Sequence, residues 1–232
     1  MNFGTVSELW RYPVKSFGGE RLDSLEIDRR GIVGDRRWAL VDPEGKLASG
    51  KPTRRFRKVR GLLMHHAQLE NGKPVIELAD GRSMAVDDPA AGAVAEELAG
   101  PGWVFGEERE VPHYDAAPVH LVTSRTLEQL ESLVGGEFPS QRLRPNVVIE
   151  WDGAPGFAED GWTGRNIRIG EVELRVVERT ERCVMVNHAR PGIEHRSDVL
   201  KTIGRANEAC AGVYAEVVAT GRIELGASVE LL

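Results

Sequence analysis

Apolar and polar positions alternate with a period of two through most of the first ninety residues, the spacing that places successive side chains on opposite faces of a strand. Residues 6–12, 37–41, 62–70, 75–78 and 83–86 read as strands of this kind. Between them stand turn sequences: Asp42-Pro43-Glu44-Gly45, Asn71-Gly72 and Asp80-Gly81. Short strands joined by tight turns predict a barrel or a curled antiparallel sheet. A helix is predicted over 89–98, with Asp88 as its cap and Gly100-Pro101-Gly102 as its stop. That break divides the chain into a segment over 1–100 and a second over 110–232. The second segment carries strands at 119–122, 146–150, 172–177, 213–218 and 223–225. Two helices interrupt them, one over 125–134 capped by Ser124 and stopped by Gly135-Gly136, the other over 198–209. The fold class read from this pattern is mainly β with some α.

Charge and cysteine content narrow the function. The net charge of −6 repels a phosphate backbone and argues against nucleic acid as a partner. The N-terminal residues lack a basic start followed by an apolar run, and no apolar stretch approaches the ~18 residues of a membrane span. A reducing, cytoplasmic setting follows, because two cysteines make no disulfide framework. Neither cysteine lies in a C-x-x-C, and two thiols cannot complete a tetrahedral zinc site. Cys210, near a helix end with Glu208 as its only close charge, reads as core packing. Cys183 follows Arg182, and a positive neighbour favours the thiolate. From the residues alone Cys183 stays open between a buried small hydrophobe and a reactive ligand. The stretch 51–60 holds six basic residues, Arg54 and Arg55 among them. It reads as a solvated face, or as a ring at a pocket mouth that attracts an anionic substrate or an acidic redox protein.

Five islands carry a resemblance. They are Tyr12-Pro13-Val14-Lys15-Ser16, Gly31-Ile32-Val33-Gly34-Asp35-Arg36-Arg37-Trp38, Arg142-Leu143-Arg144-Pro145-Asn146-Val147-Val148-Ile149, Phe157-Ala158-Glu159-Asp160-Gly161-Trp162 and Glu181-Arg182-Cys183-Val184-Met185. In this order they resemble the MOSC family together with its N-terminal β-barrel companion domain. The resemblance implies an N-terminal β-barrel-like domain followed by a β-barrel MOSC domain with a few helices. It implies a molybdenum cofactor (Mo-molybdopterin) with Cys183 as the protein ligand to the metal. Lys15, Ser16, Arg36, Arg144 and Asn146 fall on its cofactor-gripping positions, with Thr123 aligned to a serine contact. Asp35 is expected to orient Arg36, and Asp160 to support the arginines.

Within the family, the molybdenum proteins that reduce N-hydroxylated compounds in mitochondria and bacteria are the nearest functional likeness. A small-molecule substrate is then implied, with electrons expected from a separate ferredoxin, flavoprotein or heme protein, since an iron–sulfur domain would need four more cysteines at characteristic spacing. The loop after Cys183 departs from those proteins, which carry a threonine-rich run there. Asn187 and His188 replace small hydroxyl residues, so Asn187, with Arg54 and Arg55, is a candidate on the substrate side. His188 is either a proton donor to the reaction or a loop histidine bonded to the backbone. Two other roles compete with reduction: a sulfur carrier holding a Cys183 persulfide, and a cofactor-binding protein without turnover.

Overall fold

The computed structural model describes residues 2–232. In chain order the first half carries β1 (Asn2–Arg11), β2 (Glu20–Leu22), β3 (Ser24–Asp28), β4 (Gly31–Ile32), β5 (Trp38–Val41), β6 (Leu47–Ser49), β7 (Phe56–Lys58), β8 (His66–Glu70), β9 (Lys73–Glu77), β10 (Ser83–Ala85), helix α1 (Ala91–Ala99) and β11 (Val104–Glu107). The second half carries β12 (Val119–Thr123), α2 (Ser124–Val134), β13 (Val147–Trp151), β14 (Asn166–Ile169), β15 (Val172–Glu181), α3 (Val199–Asn207), β16 (Cys210–Ala219), β17 (Gly221–Glu224) and β18 (Ser228–Leu231). The fold is mainly β with three α-helices, as the residue pattern predicts.

A closed barrel of seven strands runs in the order β13-β12-β16-β15-β14-β18-β1 and returns to β13. The strand that closes it is the first in the chain: β1 pairs antiparallel with β13, Val6 opposite Ile149 and Leu9 opposite Val147. Closure leaves the barrel without an open edge. Alternation sorts its side chains. Val147 and Ile149 point into the core with Leu121, Leu174 and Val176, while Val148 and Val122 face outward onto α2 and α3. There they meet Leu130, Val134, Val199 and Ile203, so both faces of these strands are apolar. Two smaller sheets, β10-β9-β8 and β11-β5-β6-β7, enclose a second core around Phe17, Leu40, Ile76 and Trp103, against which α1 packs.

Several boundaries shift for local reasons. Residues Leu62–Met64 form a 3-10 turn after left-handed Gly61, so the strand there begins only at His66. Asp88 accepts from Ala90 N at 2.7 Å in a turn, and α1 starts at Ala91. Thr123, not Ser124, caps α2, its hydroxyl accepting from Thr126 N; Ser124 instead donates to Glu150. Left-handed Glu208 and Ala209 stop α3 at Asn207. β15 runs four residues past its predicted end, to Glu181, with three register shifts against β16. Bulges bend a strand, and this bent end carries the chain into Arg182 and Cys183. Among the described residues no helix is long and apolar enough to cross a membrane.

Candidate functional site

Four distant stretches converge on one cleft of about 280 Å³. The turn after β1 brings Lys15 and Ser16, and the turn before β5 brings Arg36. The loop before β13 supplies Arg144, and the end of β15 supplies Arg182 and Cys183. Three of these, Ser16, Arg36 and Arg144, hold left-handed backbones at φ 67°, 49° and 55°. Such conformations cost a side-chain-bearing residue on the order of 1 kcal/mol each and persist only where surrounding contacts impose them. Here Arg36 N donates to Tyr12 O at 2.7 Å, Ser16 Oγ to Ala48 O at 3.2 Å, and Arg144 N to Gln141 O at 3.2 Å.

Beneath the cleft a polar brace sets the arginines. Asp35 is fully buried and pairs with Arg36, while also accepting from Tyr12 N at 2.8 Å and Asn146 Nδ2 at 3.1 Å. Asn146 is fully buried as well. Its Oδ1 accepts from His120 N at 3.1 Å and Arg36 Nη1 at 3.3 Å, and its Nδ2 also donates to Trp10 O. Asn146 therefore holds Arg36 rather than facing the cleft. The guanidinium carbons of Arg36 and Arg144 lie 4.9 and 4.2 Å from the Tyr12 ring centre. Tyr12 in turn donates to Pro145 O at 3.1 Å. Burial pushes this phenol up to about 12, so it stays protonated.

Positive charge exceeds negative inside the cleft. Lys15 Nζ donates to Asp115 Oδ1 at 2.7 Å and to His113 O at 2.8 Å; burial lowers its pKa and Asp115 opposes that. Arg144 donates to Phe17 O at 2.5 Å, yet its Nη2 is buried without a partner, and burial lowers its pKa to about 10. Arg182 donates to Leu143 O at 2.5 Å and leaves Nε unpartnered. Six cations, Lys15, Arg36, Lys51, Arg144, Arg179 and Arg182, thus line the cleft against Asp115 and the exposed rim residues Glu178 and Glu181, with Asp35 paired to Arg36 beneath. Unpaired buried charge is expensive, so the arrangement calls for an anion.

His120 spans two of the arginines. Burial first, and Arg182 second, hold its pKa far below the usual value, so the ring is neutral. One tautomer satisfies both neighbours: Nδ1–H donates to Arg144 O at 3.2 Å, and Nε2 accepts from Arg182 Nη1 at 3.3 Å. Left-handed Gly212 leaves room for this ring; a Cβ there would collide with Nε2. Tyr214, opposite His120 in the β12–β16 register, completes the wall beside Cys183.

The remaining sequence candidates lie elsewhere. Thr123 is fully buried, with Glu159 Oε2 at 2.6 Å from its hydroxyl. Asn187 ties the turn after Cys183 to α3, donating to Ser197 O and accepting from Leu200 N at 2.8 Å. His188 lines a neighbouring cavity of about 230 Å³ that shares Met185 with the cleft. Its Nε2 is buried without a partner, and burial followed by His195 pushes its pKa down. Arg55 is exposed and donates to the carbonyls of Pro112 and Asp115, clipping the loop that holds Asp115 over Lys15. Arg54 lines a separate groove along β5 and β11. Asp160 pairs with Arg179 at 3.0 Å and accepts from Asn207. Cys210 sits opposite Glu181 in the β15–β16 ladder, outside the cleft, and burial pushes its thiol up. Asp115, His120 and Tyr214 escape sequence reasoning. The available signal for the last two was a hydrogen-bonding ring inside an otherwise apolar strand.

Among the described residues no group of three or more His, Cys, Asp or Glu side chains could hold a metal ion. A metal at Cys183 would draw most of its ligands from outside the protein. The model of the MOSC N-terminal beta barrel domain matches residues 3–94, and that of the MOSC domain residues 104–230. The chain is 24% identical over 246 residues to mitochondrial amidoxime reducing component 2 of Rattus norvegicus, covering 86% of this chain and 71% of that protein. It is 22% identical over 249 residues to mitochondrial amidoxime-reducing component 1 of Homo sapiens, with the same coverage. The crystal structure of the YUAD protein from Bacillus subtilis shares the fold, with a TM-score of 0.54 and 14% identity over 98% of this chain and 94% of that one. On the two domain matches, which together span nearly its whole length, the chain belongs to the MOSC family.

Proposed function

We propose that the chain binds a molybdenum–pterin cofactor in the cleft beside Cys183 and uses it to reduce N-hydroxylated small molecules. The observation that carries this reading is a thiol placed at the edge of a cleft whose permanent positive charge exceeds its negative charge. The donor set fits the group: a soft sulfur for the metal, and cations with an unpartnered Arg144 Nη2 for its phosphate-bearing end. When bound, the cofactor supplies the two-electron redox chemistry that no side chain here can provide.

The protein's own residues bind, orient and manage protons. Cys183 ligates the metal as a thiolate. Lys15, Ser16, Arg36 and Arg144 grip the anionic end, with Asn146 and His120 holding the arginines in place. Reduction of an N-hydroxyl group consumes two protons and two electrons and releases water. His188, whose Nε2 has no partner and whose cavity shares Met185 with the cleft, is the candidate source of a proton. The electrons come from a separate redox protein, for which the exposed basic stretch 51–60 offers a complementary surface. A persulfide-carrier role for Cys183 leaves the surplus of cations unexplained.

The test is benzamidoxime reduction by protein made in a host that synthesises the cofactor, with an artificial electron donor. Turnover in the wild type and in Cys210→Ser, but not in Cys183→Ser, is the expected result. Molybdenum-loaded protein that reduces no N-hydroxylated compound would defeat the enzymatic reading.

A further inference from the structure

Arg144 lines a second cavity, of about 420 Å³, which Cys183 does not reach. One wall is aromatic: the rings of Trp10 and Tyr12 are nearly parallel, 16° apart in plane with centres separated by 6.4 Å. Leu63, Pro139 and Ile193 add apolar surface. Gly18 and Gly19 also line the cavity, and a Cβ on Gly19 would strike the Tyr12 ring.

The charged groups on this cavity are all basic. Arg190 lines it together with Arg144, and no aspartate or glutamate does. Arg190 is 8% exposed and donates to the carbonyls of Gln141, Met185 and His188, yet its Nε is buried without a partner. Arg144 Nη2 is in the same condition. Asp35 and Asp115, the carboxylates whose charge Arg144 senses, are committed to Arg36 and Lys15. Burial first, and the neighbouring Arg144 second, lower the Arg190 pKa to about 9. Two like charges are thus held together at a mostly apolar pocket whose lining includes no counterion.

We infer that this cavity binds a small planar aromatic anion, a one- or two-ring carboxylate. Its ring packs against Trp10 and Tyr12, and its carboxylate is drawn to Arg144 and Arg190. Guanidinium groups match the planar geometry of a carboxylate, and a volume of this size suits a small ligand. A phosphate would leave the aromatic wall unused. Because Arg144 also lines the Cys183 cleft, anions at the two sites share one guanidinium, and each weakens the other's binding reciprocally. The inference stands without the cofactor reading, since the cleft need not be filled for this cavity to bind.

Isothermal titration of the purified chain with 2-naphthoate, and separately with 2-naphthamide, tests it. The acid is expected to bind at least about tenfold more tightly than the amide, which shares its shape and lacks its charge. Ile193→Trp, which fills the cavity from a partly exposed position, is expected to abolish naphthoate binding, whereas Arg182→Gln, confined to the cleft, retains it. Arg190→Gln is expected to weaken the acid about tenfold; the acid–amide pair on the wild type decides the matter should that variant fail to fold. Equal affinity for acid and amide, no binding of either, or binding unaffected by Ile193→Trp would each overturn the inference.

Discussion

Around Glu159 a buried charge is relieved from within the protein, whereas around Cys183 it is left over. Glu159 is fully buried, with the hydroxyls of Thr123 and Thr126 at 2.6 and 2.7 Å from Oε2. Burial pushes its carboxyl up to about 7, so it sheds its charge near neutrality by taking a proton. The guanidiniums of Arg36, Arg144 and Arg182 have no such escape, because arginine stays protonated in proteins. Two of them leave buried nitrogens unpartnered beside an open cleft and a thiol. Buried charge alone therefore does not mark a site. A surplus of permanent charge next to a cavity does.

The contrast breaks most visibly at Arg36. Arg36→Ala leaves the fully buried Asp35 without its counterion, and is expected to destabilise the fold by on the order of 3–5 kcal/mol in urea titration. Arg182→Ala, which abandons no carboxylate, is expected to cost clearly less. Equal costs for the two would mean that the cleft cations are balanced as a group.

Glu159 supplies the next effect, through pH. Its folded pKa lies above the unfolded value of 4.5, so the fold favours the protonated form. That stability is full below about pH 4.5 and is lost as pH rises through about 7. Glu159→Gln removes the loss, and at about pH 9 the variant is expected to exceed the wild type by up to on the order of 3 kcal/mol. Urea midpoints that fall in parallel for both proteins between about pH 5 and about pH 9 would contradict this.

The smallest effect concerns Asp115, about half exposed at the mouth of the cleft. Its carboxylate occupies Lys15 Nζ, the group that an incoming phosphate needs. Asp115→Asn is expected to tighten inorganic phosphate binding about fivefold by calorimetry. Weaker binding would make Asp115 a support of the anion site rather than its competitor.

Much of this was legible in the residues, and the illegible part has a common cause. Period-two alternation marked β15, and a short run of β-branched residues buried on both faces marked β13. Lys15, Ser16, Arg36, Arg144 and Cys183, five residues from four stretches, do come together. Pairings across distance were not legible. β1 closes the barrel against β13 some 140 residues later, so a segment assigned to the first unit completes the second. Asn146 reads as a cofactor contact by motif, but its four partners come from Trp10, Asp35, Arg36 and His120. Thr123 likewise spends its hydroxyl on a helix cap and a buried glutamate. His120 looked like one more position in a strand until the fold put an arginine on each side of its ring.

Cys183 and Cys210 carry the same comparison into the chemistry, one thiol on the cleft and one in the ladder opposite Glu181. Molybdenum per chain, measured on wild type, Cys183→Ser and Cys210→Ser purified from the same cofactor-producing host, bears on it most directly. Near-stoichiometric metal in the wild type and in Cys210→Ser, with almost none in Cys183→Ser, is the expected outcome. Metal retained by Cys183→Ser and lost from Cys210→Ser would contradict the assignment of the site.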